Sequence, residues 1–177
     1  MATTKVIDEA ARKAIYKVFI RGTAQQVFHE LTKTDDIQKA IFYCRMHAEN
    51  YEPGTTMSMR SPDGKYVSMI GKILEYTPYT RFAHTLKFTS YDDPECTVIY
   101  DITEQDGGVE LTLTCENLPM GTKTAKNMAS GGTPICNNIK AIVETRKPTF
   151  VHRTLFMALI KIAGVFSPKK CRTQNWI

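Results

Sequence analysis

Between residues 55 and 116 the chain repeats one pattern five times: a short run of alternating apolar and polar side chains, closed by turn formers. The runs are Thr55–Arg60, Tyr66–Tyr76, Arg81–Thr89, Cys96–Glu104 and Val109–Glu116. Pro62-Asp63-Gly64, Pro78-Tyr79, Asp92-Asp93-Pro94 and Asp106-Gly107-Gly108 separate them. Period two gathers the apolar side chains on one face of each strand, and such short connections join antiparallel neighbours. A sheet of this kind has one wet face and one that must be covered.

The cover is expected from Gly131 to Lys147. Thr133 is predicted as its N-cap and Pro134 as its first helical residue, where the missing N–H costs nothing. Ile135, Ile139, Ile142 and Val143 then recur at helical spacing as one apolar stripe. Lys140, Arg146 and Lys147 suit the C-terminal end of the helix dipole, and Pro148 stops continuation. Upstream, residues 1–12 are predicted as a polar arm, open to a helical conformation. A first strand over Ala14–Arg21 carries Tyr16, Val18 and Ile20 on one face. Thr23 with Gln26 forms a capping box ahead of Val27, Phe28 and Leu31. A second short helix is predicted from Thr34-Asp35-Asp36, carrying Ile37, Ile41 and Phe42. The expected architecture is α+β: a curved antiparallel sheet wrapped around a long C-terminal helix, with two short helices after strand 1.

Two hairpins can be registered from sequence. A two-residue type I′ turn at Asp106-Gly107 sets Ile102 opposite Leu111, Tyr100 opposite Leu113 and Val98 opposite Cys115, all on one face. The same treatment at Pro78-Tyr79 collects Val67, Met69, Ile73, Glu75, Phe82, His84 and Leu86 on one face, with Glu75 opposite Phe82. That face is apolar apart from two ionisable side chains, Glu75 and His84.

The order of elements and four sets of residues resemble the START-like superfamily, whose fold is called helix-grip. Within it they are similar to the branch named after the activator of the heat-shock protein 90 ATPase. The residues are Ile20-x-x-Thr23-x-x-x-Val27-Phe28-x-x-Leu31-Thr32, then Gly71-x-x-x-Glu75-x-x-Pro78-x-x-Arg81-Phe82. Gly108-x-x-Leu111-Thr112-Leu113-Thr114 and Gly132, Asn138 and Glu144-Thr145 on the helix complete the match, over residues 13–147. The resemblance implies a sheet gripping the terminal helix, with a cavity between them that often takes an apolar small molecule. The family often has tryptophans after its second helix and before its final one; here those places hold Phe42-Tyr43 and Gly132-Thr133. It divides the chain into an arm (1–12), a helix-grip domain (13–148) and an extension (149–177).

The candidate cavity wall comprises Phe28, Phe42, Met57, Met59, Met69, Phe82, His84, Leu86, Tyr100, Leu113, Ile135, Ile139 and Ile142, with Glu75 beside His84. The same residues would equally serve as a solid core. Glu75 and His84 are candidates to orient a ligand or act as an acid–base pair, while Glu75 paired with Arg81 is the plainer alternative. Tyr100 offers a hydroxyl. No nucleophile-elbow, Walker or dinucleotide pattern occurs, so no cofactor and no catalytic residue is assigned. His29, His47, His84 and His152 stand far apart, and no metal site is expected. Asn127 to Gly132 is a weak phosphate cradle. Cys136, near the expected helix start, is read as a buried thiol over an activated one.

The formal charge of +5 comes without a basic tract interleaved with aromatics, so no nucleic acid partner is expected. Five scattered cysteines and an N-terminus without an apolar core point to reduced thiols and a cytoplasmic location. Thr149–Phe166 reads as an extra apolar helix followed by Lys169, Lys170 and Arg172. It is too short to span a membrane. Packing on the domain, a homodimer contact and membrane-surface attachment are its three uses, in that order. Three functions follow: a binder of a small apolar molecule (lipid or polyketide-like), a cyclase or hydrolase using Glu75, His84 or Tyr100, and a module contacting a chaperone.

Overall fold

A computed structural model of the protein describes residues 2–154 and 168–176. Its strands are β1 (Thr4–Asp8), β2 (Lys13–Ile20), β3 (Arg45–Ala48), β4 (Thr56–Arg60), β5 (Val67–Thr77), β6 (Arg81–Phe88), β7 (Cys96–Gln105) and β8 (Gly108–Glu116). Helix α1 (Ala24–Thr32) follows β2, and helix α2 (Lys123–Thr145) follows β8. The strands form one antiparallel sheet in the order β1-β2-β8-β7-β6-β5-β4-β3. This is the α+β helix-grip architecture, with α2 lying across the apolar face.

The β7–β8 register is the expected one, Ile102 facing Leu111 and Val98 facing Cys115. The turn is not type I′, because only Gly107 of the central pair has positive φ, at 76°. Register follows loop length, and the loop is still two residues. The β5–β6 hairpin departs further. Its loop has three residues with Tyr79 left-handed at φ 66°, so Thr77 pairs with Arg81 and Glu75 with Ala83. A bulge between Ile73 and Glu75 absorbs the extra residue, and beyond it Ile73 meets His84 as expected. The bulge reverses the faces of the turn-proximal residues. Tyr76 joins Phe28, Tyr51 and Phe82 in an aromatic cluster, while Glu75 turns outward.

Two strands carried no alternation to read. In β1 every residue is exposed, and its place is set by backbone pairing with β2 at the sheet edge. The expected arm is thus partly strand. In β3 Met46 is the buried residue, at the opposite edge. The second short helix is absent: residues 34–44 form turns, in which Gln38 pairs with Cys44 and its side-chain amide donates to the carbonyls of Leu31 and Lys33. Those two bonds fold the segment back against the end of α1.

Helix α2 begins ten residues before the predicted cap, with Thr122 accepting from the Ala125 amide at 3.2 Å. Gly131, Gly132 and Pro134 lie inside it, although two glycines and a proline together cost a free helix roughly 5 kcal/mol. Tertiary contact explains why the helix runs through them. A Cβ on Gly132 would sit 2.3 Å from the ring of Tyr16, and the Tyr16 hydroxyl donates to the Met128 and Ala129 carbonyls, both 2.9 Å away. The buried stripe accordingly runs Gly132, Cys136, Ile139 and Val143, with Ile135 and Ile142 on its flanks.

After α2, the buried Asn138 accepts from the amide and hydroxyl of Thr149, and residues 150–154 are helical. The rest of the expected apolar helix, and with it the dimer and membrane-surface contacts, lies outside the described residues. Residues 168–176 rejoin the sheet through a Tyr66–Arg172 bridge, with Cys171 buried.

The adjacent glycines of α2 make a paired prediction. Gly132→Ala should lower urea-unfolding stability by about 1–3 kcal/mol through overpacking on Tyr16. Gly131→Ala, whose Cβ would meet only Phe42 at 3.6 Å, should raise it by about 0.5–1 kcal/mol.

Candidate functional site

Because Gly132 brings α2 down onto β2 at one side of the sheet, the helix stands clear of the other side. The space left is a cavity of about 360 Å³. Met57 and Met59 of β4, Met69 of β5, Phe82, His84 and Leu86 of β6, Tyr100 of β7 and Leu113 of β8 form its floor. Gly131, Pro134 and Ile135 of α2 form the roof, and Gln38, Ile41, Phe42 and Met46 the end wall. Asn127 and Ser130 are exposed, so the open side lies along the N-terminal half of α2.

Of the residues predicted for the wall, Phe42, Met57, Met59, Met69, Phe82, His84, Leu86, Tyr100, Leu113 and Ile135 line this cavity. Phe28, Glu75, Ile139 and Ile142 do not. Phe28 packs edge-on against Tyr76 and Tyr79, with ring centroids 5.1 and 5.8 Å away. Ile139 is fully buried in the α2–sheet contact, and Ile142 faces a separate cleft beside α1. Glu75 leaves through the bulge and accepts from the Arg81 Nε at 2.8 Å, while Arg81 Nη1 reaches Asp101. A carboxylate with a cation available at the surface has no reason to desolvate. The Glu75–His84 acid–base pair therefore does not form. Gln38, Ile41 and Met128 were missed because their segments were read as the wrong element, Met46 because its short strand shows no alternation, and Leu31, on the expected helix, because it was taken as core alone. Phe88, Val98 and Cys115 were within reach, each two residues along the strand from an assigned wall residue.

His84 is 5% exposed. Its Nδ1 lies 2.8 Å from the Thr85 carbonyl, an acceptor, so the proton sits on Nδ1. Burial holds the imidazole neutral, pushing its pKa down to about 4 against the opposing pull of that hydrogen bond. Burial likewise raises the Tyr100 phenol and pushes the Cys136 thiol up to about 12. Cys136 lies mid-helix, remote from any activating N-terminus, and the Asn127–Gly132 stretch is helix, with no phosphate cradle. Among the described residues no cluster of His, Cys, Asp or Glu is suited to hold a metal ion. No described helix is long and apolar enough to cross a membrane.

The end wall carries backbone strain. Phe42 and Tyr43 are successive left-handed residues (φ 52° and 55°), a conformation costing roughly 1–2 kcal/mol each. The Cys44 amide bonded to the Ile41 carbonyl, and His152 stacked on Tyr43 with centroids 5.6 Å apart, hold them there. The strained turn carries Phe42 to the cavity.

The model of the family described as activator of Hsp90 ATPase homolog 1-like protein matches residues 21–144. No curated protein matches the chain in sequence. Among solved structures, CalU16 from Micromonospora echinospora superposes with a TM-score of 0.65 at 13% identity, spanning 93% of this chain and 98% of that one. DynU16, a protein in the dynemicin biosynthetic locus, gives 0.62 at 16% identity over 77% of this chain and 49% of that one. The Aha1 dimer from Colwellia psychrerythraea gives 0.58 at 12% identity, over 75% and 96%. At these identities the likeness is one of fold.

The buried imidazole predicts a pH dependence. The unfolded histidine titrates near 6.5 and the folded one near 4, so between those values the unfolded chain binds more protons. Its contribution should be level above about pH 6.5 and decline as pH falls toward 4, by roughly 3 kcal/mol in all. His84→Asn, whose amide can still donate to the Thr85 carbonyl, should flatten that part of the decline in urea titrations at pH 7.5, 6 and 5.

Proposed function

The chain belongs to the activator of Hsp90 ATPase homolog 1-like family, and from that premise we propose that it binds a small apolar molecule between sheet and α2. The observation that carries this reading is the cavity itself. Its volume of about 360 Å³ falls within the ~300–1,000 Å³ usual for ligand pockets, and its walls are mostly methionine, aliphatic and aromatic side chains. Four methionines, Met46, Met57, Met59 and Met69, converge on one end. Their unbranched, polarisable side chains adjust to a ligand's outline at little cost, which suits a lipid or polyketide-like molecule. DynU16, with the same fold, belongs to a biosynthetic locus, and a small-molecule ligand is in keeping with that. The outward turn of Glu75 leaves His84 without a carboxylate partner, which favours binding over turnover.

Titration with the neutral apolar dye N-phenyl-1-naphthylamine tests the reading. Saturable fluorescence enhancement at one site, with Kd on the order of micromolar, is expected. Met69→Trp, which fills the floor, should weaken it at least about tenfold without lowering the melting temperature appreciably. Absence of saturation, or equal affinity in the variant, would overturn the proposal.

A further inference from the structure

Three residues that line the cavity each carry a polar atom with no hydrogen-bond partner among the described residues. Gln38 is fully buried and spends both amide hydrogens on the Leu31 and Lys33 carbonyls, at 2.9 and 3.2 Å. Two acceptors on one nitrogen settle the orientation of the amide, so the unpartnered atom is Oε1, an acceptor. His84 spends Nδ1–H on the Thr85 carbonyl, which leaves Nε2 with a bare lone pair, a second acceptor. The Tyr100 hydroxyl, on a ring whose centroid is 6.3 Å from that of His84, makes no hydrogen bond to a described residue. It can accept or donate. Among the described residues the lining contains no lysine, arginine, aspartate or glutamate.

We propose that the cavity selects a neutral apolar ligand that donates hydrogen bonds, a phenol or hydroxylated hydrocarbon, over one bearing a carboxylate or phosphate. The inference rests on the cavity-binding reading above and names the ligand class for it. An acceptor that faces an apolar cavity is met by neither the described residues nor bulk water, so a ligand hydroxyl aimed at His84 Nε2 gains what an ether or hydrocarbon cannot. An anion brings acceptors only. It would set its lone pairs against His84 Nε2, with one phenol hydroxyl to meet them and no cation among the described lining residues to offset its desolvation. Buried and neutral, His84 does not supply that cation at physiological pH.

Three probes on one skeleton separate the possibilities: 4-octylphenol, 4-octylanisole and 4-octylbenzoate, each measured at pH 7.5 by displacement of N-phenyl-1-naphthylamine and by calorimetry. The phenol should bind about tenfold or more tighter than the anisole, which has the same shape without a donor, and the benzoate should bind weakest. His84→Asn, which keeps the Nδ1-type donor and removes the Nε2 acceptor, should cut the phenol-to-anisole ratio several-fold while anisole affinity stays within about twofold. Tyr100→Phe reports the hydroxyl's share in the same way, and retained anisole binding shows that each variant is folded. Equal binding of phenol and anisole, or tightest binding of the benzoate, would overturn the inference while leaving the cavity reading in place. Failure of all three to bind, directly or by displacement, would overturn the cavity reading and this inference with it.

Discussion

The contact between Tyr16 and Gly132 decides where α2 lies, and the rest of the site depends on that. Tyr16 is fully buried in β2, with the helix backbone resting on its ring and its hydroxyl bonded to two helix carbonyls. A residue with any side chain at position 132 would lift the helix from the sheet. With the helix seated on β2, the opposite half of the curved sheet is left without a backbone close above it, and side chains of β4 to β7 cannot fill the gap. The cavity is a consequence of one-sided packing.

A second constraint keeps that cavity uncharged. The three-residue loop after β5 shifts the register by one, and the bulge at Leu74 restores it before the cavity floor is reached. Between loop and bulge the faces are exchanged, which sends Glu75 to Arg81 and brings Tyr76 inside. Without the bulge, either the carboxylate would be desolvated beside His84 or the floor residues would point to solvent. Polarity among the described lining residues is thereby confined to neutral groups, two of which are held still by their other hydrogen bonds. Gln38 is tied to the end of α1, and His84 to its own neighbour's carbonyl. Fixed groups of this kind discriminate between ligands more sharply than mobile ones, because little ordering remains to oppose binding.

The end wall is joined to the chain beyond α2. His152 stacks on Tyr43 and its Nε2 lies 2.9 Å from the Lys39 carbonyl, while Thr149 is held by Asn138. The left-handed turn at Phe42-Tyr43 thus sits under the His152 ring, and its strain is balanced in part by that contact. Changes in that segment will be felt at Phe42, and so in the cavity.

From the residues alone, the alternation between 55 and 116, the turn formers and the helical isoleucines determined a curved antiparallel sheet gripping a C-terminal helix. They also determined most of the cavity floor, since side chains two apart on one strand share a face whatever else happens. The β7–β8 register was legible because loop length sets it. What the tertiary structure decided falls where local preference was weak or opposed. Strand β1 is placed by an edge ladder that leaves no mark on side-chain polarity. The turns at 34–44 are held by the Gln38 side chain bonding the carbonyls of Leu31 and Lys33 at the end of α1, a side-chain contact that no periodicity announces. Helix α2 runs through two glycines and a proline because Tyr16, over a hundred residues earlier, makes that backbone worth approaching. Glu75 changed faces through one extra loop residue, which shifts register without altering the pattern that a reader counts. Such features depend on specific partners and loop geometry, and a period of two or 3.6 carries no information about them.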